Sequence, residues 1–313
     1  MTTKPDLNHL TKKTASVALQ STEVRLAYLK QYKWIGYPRA NEIKETLEEL
    51  LDEPKHTRMP CLAVIGPSDN GKSMLIKNFL KKHPIDPNPE GEHILAPVLV
   101  INAPSKPDPV TLLHYHLEAI NAPFKPNAHP SVKEGQIEKL YRDIGVKMVI
   151  LDEFHEAQRG TPAKRLEYLG ELKHLHNRLD IVYVAFGTHR VLGFLRESVE
   201  VHNRFETVRL DPWKDEEEFR KLLGRFEAVL PLLKPSRLYE DECAHLILLQ
   251  SKGILGEIDK LLRAAAKEAI LNGQEQITVP QLKKLGHTPA LLKRDIEYKE
   301  AYAKNREIMA RSS

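Results

Sequence analysis

The sequence has few cysteines, no long apolar run and little net charge, and these scarcities exclude several classes of protein. Two cysteines, Cys61 and Cys243, occur among 313 residues, and they form neither a disulfide framework nor a zinc-site spacing. There is no secretory segment and no apolar stretch of membrane-spanning length, so we expect a cytoplasmic protein. The formal net charge of +4 is too small to identify a nucleic-acid partner by itself.

The charge surplus is concentrated at the amino terminus. Residues 1–33 carry six lysines and arginines and two acidic residues, which equals the surplus of the whole chain. A basic arm of this kind can contact phosphate backbones, and it can equally be a solvated, partly frayed terminus. The length of the chain fits one large domain or a core domain with a smaller one.

The strongest signal is the segment 66–73, which reads G-x-x-x-x-G-K-S. The apolar run 61–65 precedes it and a helical pattern follows it, which is the strand–loop–helix context of a phosphate-binding P-loop. The glycines let the backbone approach a polyphosphate, and the start of the helix faces the negative oxygens. Lys72 would supply positive charge to the β- and γ-phosphates, and the Ser73 hydroxyl can bind Mg²⁺. The predicted ATP-binding residues are Gly66, Pro67, Ser68, Asp69, Asn70, Gly71, Lys72, Ser73 and Met74.

A second motif lies farther along the chain, where an apolar strand ends in Asp152 and Glu153. In this Walker B pattern Asp152 would hold Mg²⁺, and Glu153 would polarise the water that attacks the γ-phosphate. The alternative is a strand end capped by solvated acids. Thr188, at the polar end of a later strand, is placed where a sensor of the γ-phosphate would lie. We interpret His155 as polar surface or a coupling residue, because Glu153 already fills the role of base.

Apolar segments alternate with helical patterns, which predicts an α/β fold with a parallel five-stranded sheet and helices on both faces. The strand 97–102 lies between the P-loop strand and the Asp152 strand in sequence. This order excludes the simplest kinase-like arrangement and favours the ASCE type of P-loop NTPase. From Trp213 onward, helical periodicity predicts a small lid. The predicted parts are a basic N-terminal arm (1–33), an ATPase domain (34–212), a helical lid (213–286) and a C-terminal charged helix or tail (287–313).

The order of these motifs resembles that of an AAA+ ATPase, and the segments around the P-loop are similar to the TniB/TnsC transposition regulators. The resemblance spans about residues 34–275, judged by motif order. The Arg-Met-Pro approach to the P-loop at residues 58–60 is more specific than the P-loop itself. The stretches that carry the closer resemblance are residues 34–40, 56–60, 70–76 and 79–84.

The resemblance implies a protein that depends on ATP and Mg²⁺ and assembles as a homo-oligomeric ring or helical filament on duplex DNA. Proteins of this kind mark a target site and recruit a DDE transposase, while a TniQ-type protein supplies targeting and ATP hydrolysis drives disassembly. By position, Arg204 resembles the arginine finger that reaches a neighbour's γ-phosphate; the alternative is a surface arginine before a strand. Lys106 and Lys125 are the predicted contacts to the DNA backbone, and the alternative is that both are ordinary loop lysines.

Two other functions stay open on the sequence alone. A helicase loader would also be an AAA+ protein with a basic N-terminal arm, but it would lack the Arg-Met-Pro signature. An ATP-dependent scaffold without catalysis would not need Glu153. A gene for a DDE transposase beside this one would discriminate among these functions.

One departure from many AAA+ lids is that no arginine opens the third lid helix; the nearest is Arg263.

Overall fold

The computed structural model describes residues 6–55 and 58–285. The described chain divides into two compact units, one within Gly36–Pro212 and the other formed by the described residues on either side of that range, 6–35 and 213–285. The predicted tail at 287–313 lies outside the described residues, as do positions 56 and 57 of the stretch before the P-loop. No helix in the described ranges has both the length and the apolar character needed to cross a membrane.

The described helices and strands alternate through the first unit, and helices alone make up the second. The strands are β1 (Cys61–Ile65), β2 (Val98–Asn102), β3 (Met148–Asp152), β4 (Val182–Gly187) and β5 (Phe205–Arg209), and a 3₁₀ helix covers Phe154–Gln158. The helices are α1 (Lys12–Ala18), α2 (Thr22–Lys30), α3 (Pro38–Leu51), α4 (Lys72–Leu80), α5 (Pro109–Glu118), α6 (Pro130–Asp143), α7 (Pro162–Leu179), α8 (Arg190–Arg196), α9 (Val199–His202), α10 (Glu217–Glu227), α11 (Asp241–Ser251), α12 (Leu255–Leu271) and α13 (Val279–Leu285).

The first unit is built on a five-stranded parallel sheet in the order β2-β3-β4-β1-β5. Strand β4 lies between the P-loop strand β1 and the Asp152 strand β3, which confirms the predicted ASCE arrangement. Every residue of β1 and β4 is buried. Continuous burial is expected for parallel strands that helices cover on both faces. The carboxyl ends of β1, β3 and β4 therefore meet at one edge of the sheet.

Several helices of this unit begin with signals that are legible in the sequence. Helices α5, α6 and α7 each have a proline in the first turn, where the missing N–H would have no partner in the helix. The Asp108 carboxylate accepts from the backbone N–H of Thr111 at 2.7 Å and caps α5. The Thr161 hydroxyl caps α7 in the same way, through the N–H of Lys164. These caps fix where the connections after the strands give way to helices.

The second unit contains α1 and α2, which occupy part of the segment that the sequence set apart as a basic arm. Arg25 of α2 is 5% exposed, forms an ion pair with Glu275, and donates to the carbonyl of Pro231 from Nε (3.1 Å) and Nη2 (2.8 Å). Burial lowers the pKa of Lys33 to about 8, and its ammonium lies 3.6 Å from the centre of the Tyr28 ring. Two basic residues of the N-terminal segment, Arg25 and Lys33, therefore have their interactions within this unit.

Helix α12 also contacts α2 in this unit. Arg263, the arginine nearest to the start of the third lid helix, pairs with Asp259 at 2.6 Å and donates to the carbonyls of Leu29 and, at 2.9 Å, Gln31. These contacts give Arg263 a structural role in joining α12 to the end of α2.

Candidate nucleotide-binding site

The P-loop joins β1 to α4 at the carboxyl edge of the sheet. Gly71 is the N-cap of α4 and has a φ of +86°, a conformation that favours glycine. Gly66 lies against the residue after β5, because a Cβ at this position would be 2.6 Å from the carbonyl oxygen of Leu210. The Asn70 side chain donates to the carbonyls of Leu210 (2.8 Å) and Asp211 (3.2 Å). The loop is therefore fixed to the end of β5, and the Asn70 amide serves the shape of the loop.

The ammonium group of Lys72 lies inside this loop. Lys72 is 4% exposed, and its Nζ donates to the carbonyls of Gly66 (3.0 Å) and Pro67 (2.6 Å). Burial lowers the pKa of Lys72, while the negative charges of Glu153 and Asp152 act in the opposite direction. A cation held by backbone carbonyls is suited to polyphosphate, whose charged oxygens are stronger acceptors than the two carbonyls.

The predicted ligands of Mg²⁺ are adjacent in space. The Ser73 hydroxyl donates to Oδ2 of Asp152 at 3.3 Å, although the two residues come from different strand–helix units. Mg²⁺ prefers oxygen ligands and usually takes one or two protein oxygens together with water and phosphate oxygens. A hydroxyl and a carboxylate at this separation fit such an ion.

Glu153 and Thr188 lie beside these residues. Glu153 follows β3 with a φ of +53°, its backbone N–H donates to Oδ1 of Asp152 at 2.9 Å, and its side chain is 48% exposed. A non-glycine residue in this region of φ is strained, and such strain is often found at functional sites. Thr188 follows Gly187 of β4, which is in register with Ile65 before the P-loop. Within the described ranges, the buried hydroxyl oxygen of Thr188 has no hydrogen-bond partner, so it is available to a ligand.

Arg204 lies at the opposite edge of the sheet. Its carbonyl accepts from the N–H of Cys61, the first residue of β1, whereas the P-loop follows the last residue of β1. Five residues of extended strand span about 16 Å. The guanidinium Nη1 lies 2.7 Å from Nδ1 of His176 and 2.6 Å from Oδ1 of Asn177. The structure thus does not bring Arg204 together with the P-loop of its own chain.

His176 is suited to accept from this guanidinium. Burial, assisted by the charge of Arg204, lowers the pKa of His176 to about 4, so the imidazole is neutral at physiological pH. Its Nε2 lies 3.3 Å from the buried Cys61 sulfur. Arg204 is therefore held by α7 at the amino edge of the sheet.

Lys106 and Lys125 are both exposed and lie in connections other than the P-loop. Lys106 is in the connection after β2, which β3 and β4 separate from β1. Lys125 is in the connection between α5 and α6, whose path is fixed by two residues of α6. The Lys133 ammonium donates to the carbonyl of Pro126 at 2.7 Å, and the Gln136 amide donates to that of Pro123 at 2.9 Å.

Sequence reasoning did not find the clamp formed by Asn70 or the surroundings of His155. The partners of Asn70 are backbone carbonyls, which leave no signal in a sequence. The side chain of His155 is 10% exposed, and its Nε2 lies 3.4 Å from Oε2 of Glu153. Its position two residues after Glu153 was the signal that could have suggested this contact.

Comparisons with known proteins agree with this geometry. A family model described as Bacterial TniB protein matches residues 25–215. The search of curated proteins found no match. Among solved structures, the chain is similar to the ORC2 protein of Aeropyrum pernix in its ADPNP–ADP complexes, with a TM-score of 0.59, 18% identity, and coverage of 83% of this chain and 70% of that chain.

Two further solved structures are similar to the chain. Cdc6p from Pyrobaculum aerophilum has a TM-score of 0.59 and 16% identity, over 83% of this chain and 69% of that chain. Drosophila ORC bound to DNA has a TM-score of 0.51 and 13% identity, over 91% of this chain and 68% of that chain. At these identities the likeness shows the fold alone, which is that of an AAA+ ATPase.

Proposed function

This chain belongs to the TniB family of bacterial proteins, and from that premise we propose that it is an ATP-dependent regulator of DNA transposition. It binds ATP with Mg²⁺, forms a homo-oligomeric ring or helical filament on duplex DNA, and marks the target site. It recruits and activates a DDE transposase, a TniQ-type protein supplies targeting, and ATP hydrolysis disassembles the oligomer. The protein acts in the bacterial cytoplasm.

The observation that carries the proposal is the convergence of Lys72, Ser73, Asp152, Glu153 and Thr188 at one edge of the sheet. Lys72 would exchange its two carbonyl partners for the β- and γ-phosphates, and Ser73 and Asp152 would hold the metal ion. Mg²⁺, when bound, supplies positive charge to the phosphate oxygens. Glu153 orients the attacking water and accepts its proton, and the Thr188 hydroxyl donates to the γ-phosphate.

The position of Arg204 supports the proposal that hydrolysis requires assembly. The residue lies at the amino edge of the sheet and cannot reach the P-loop of its own chain, but a second copy in a head-to-tail assembly could receive it. A guanidinium supplied by a neighbour stabilises the charge that develops on the transferred phosphoryl group. Turnover is thereby linked to oligomer formation.

Exposed lysines support contact with the DNA backbone. We assign Lys106 and Lys125 to phosphate contacts, which give affinity that depends on salt and not on sequence. The shared fold adds support, because one similar structure is Drosophila ORC bound to DNA and another is an ORC2 protein in nucleotide complexes.

The proposal is tested by electron microscopy of the protein with duplex DNA and ATP, a slowly hydrolysed ATP analogue, or no nucleotide. We expect DNA-bound rings or filaments with either nucleotide and none without. Lys72→Ala serves as the control, because it removes the cation that binds the phosphates. The absence of a DNA-bound oligomer under both nucleotides would refute the proposal. DNA-bound oligomers that do not stimulate a DDE transposase encoded beside this gene would favour the helicase-loader alternative.

The same assay on Glu153→Gln separates assembly from turnover. The amide keeps the size of the side chain but cannot accept the proton of water, so ATP still binds and the DNA-bound oligomer persists. We expect its lifetime with ATP to match that of the parent protein with the slow analogue. Rapid disassembly of the variant in ATP would remove Glu153 from the role of base.

A further inference from the structure

We propose that His155 is a positioning residue that orients the carboxylate of Glu153 and couples it to the end of β4 at Thr188. The inference rests on the proposed function, since it concerns the same hydrolysis site. It assigns to His155 a role that the sequence motifs do not supply.

The imidazole of His155 lies between the ends of two strands. Its Nε2 is 3.4 Å from Oε2 of Glu153, which follows β3. Its Nδ1 accepts from the backbone N–H of Thr188, which follows β4, in a long hydrogen bond of 3.5 Å. Contacts in a nucleotide-free site are often long and tighten when the substrate binds. The imidazole is 10% exposed, whereas the Glu153 side chain is 48% exposed, so the ring is held in place while the carboxylate stays open to solvent.

These contacts determine where the ring carries its proton. A backbone N–H can only donate, so Nδ1 of His155 must be the acceptor and the proton of the neutral ring lies on Nε2. Nε2 lies 3.4 and 3.7 Å from carboxylate oxygens of Glu153 and Glu156, which are ion-pair separations longer than an aligned hydrogen bond. Burial lowers the pKa of His155, which favours the neutral ring. His155 therefore carries its N–H on the nitrogen nearest to Glu153, and the contact becomes a hydrogen bond if it tightens when the substrate binds.

The end of β4 is shaped to admit this ring. A Cβ at Gly187 would lie 3.1 Å from Nδ1 of His155 and 2.6 Å from Cγ2 of Val191. A side chain at position 187 would therefore displace α8 or the imidazole. The His155 ring can therefore occupy this position only because residue 187 has no side chain.

The arrangement links the recognition of phosphate to the activation of water. The Thr188 hydroxyl is available to the γ-phosphate, and the backbone N–H of the same residue binds His155. The backbone of Glu153 is fixed by Asp152, but its half-exposed side chain needs a further contact to define its orientation. His155 provides that contact and makes the orientation depend on the position of Thr188.

Three substitutions separate the two contacts of the ring. In His155→Asn the side-chain amide oxygen can replace Nδ1 as the acceptor for Thr188, but the shorter side chain does not reach Glu153. In His155→Gln the amide N–H can replace the donor at Nε2. His155→Ala removes both contacts. We expect kcat for ATP hydrolysis with duplex DNA to fall at least about tenfold in the alanine variant, as for other residues that orient a reacting group.

The affinity for a fluorescent ATP analogue should stay within about twofold of the parent value, because binding rests on the P-loop and not on Glu153. The glutamine variant should recover more of kcat than the asparagine variant. His174→Asn is the matched control, because His174 is a 53% exposed histidine on α7, and it should leave kcat unchanged.

An alanine variant with the kcat of the parent would overturn the inference, as would equal losses of kcat and ATP affinity in all three variants. If His155→Ala does not fold, the test becomes the kcat of the other two variants. An asparagine variant whose kcat equals or exceeds that of the glutamine variant would overturn the role of His155. A parent protein that turns over no ATP on DNA would overturn the proposed function as well. Parent turnover that is insensitive to His155 would overturn this inference alone.

Discussion

Gly66 and Gly71 stand at either end of the phosphate-binding loop and lack a side chain for different reasons. Gly71 needs its positive φ to open α4, whereas Gly66 needs space, because the Leu210 carbonyl lies where a Cβ would be. The same carbonyl accepts from Asn70, so the loop is bonded to the residue after β5 where Gly66 is most closely packed. A change at Gly66 therefore affects both packing and the anchor.

We expect Gly66→Ala to destabilise the first unit by roughly 1–3 kcal/mol, because β5 or the loop must shift to admit the methyl group. The affinity for ATP should fall in parallel, since the loop would lose its anchored shape. Gly170→Ala is the control, because a Cβ at Gly170 of α7 would meet no atom within 4 Å and alanine favours helix. Urea denaturation and nucleotide titration measure both effects, and a Gly66→Ala protein as stable as the parent would contradict the argument.

The positions of most site residues could be predicted from the sequence because they follow strand ends. Lys72, Asp152 and Thr188 each come at or after the end of a strand, and parallel strands bring their carboxyl ends to one edge. The contacts of Asn70, and the contact of His155 with Thr188, could not be predicted, because the partners are backbone groups that follow other strands. Their geometry depends on the register of the sheet, which a single sequence does not state.

At the scale of elements, α1 and α2 show how a charged segment can belong to a folded unit. Arg25 of α2 and Glu275 form an ion pair between residues that are far apart along the chain, and the Pro231 carbonyl accepts two further hydrogen bonds. The sequence showed a basic stretch but not its partner, because a pairing across so many residues leaves no local pattern. For this reason the sequence predicted a basic arm, whereas the structure shows helices that pack within a folded unit.

Arg25→Ala should destabilise the helical unit by roughly 3 kcal/mol, since it leaves the mostly buried carboxylate of Glu275 without its counter-charge. Lys30→Ala is the matched control on the same helix, because Lys30 is exposed, and we expect less than about 0.5 kcal/mol. Denaturation of the full chain, followed by circular dichroism, measures the difference. Equal midpoints for the two variants would show that α2 contributes little to the unit.

At the scale of the whole molecule, the proposed mechanism assigns complementary parts of one reaction to the two edges of the sheet. The nucleotide side chains lie at the carboxyl edge and Arg204 lies at the amino edge, bound to His176 and Asn177. In the proposed oligomer, each chain would offer its arginine to one neighbour and its P-loop to another. The helical unit adds no residue to either role in the arrangement we propose.

A mixture of two inactive variants tests this arrangement. Arg204→Ala keeps an intact P-loop and Glu153→Gln keeps an intact arginine, so each should be inactive alone while retaining ATP binding. In an equal mixture, random head-to-tail assembly pairs an intact site with an intact arginine at roughly a quarter of the interfaces, which predicts that share of parent turnover. Turnover that does not rise above that of the separate variants would show that Arg204 is not supplied to the site of a neighbour.

The bond between Asn70 and the end of β5 has a mechanical consequence. Asn70 holds the carbonyl of Asp211, and the chain crosses from one unit to the other between Pro212 and Trp213. The P-loop is thus bonded to the chain one residue before the first unit ends at Pro212. A change in the shape of the loop must therefore either break the hydrogen bond from Asn70 or move the Asp211 carbonyl with it.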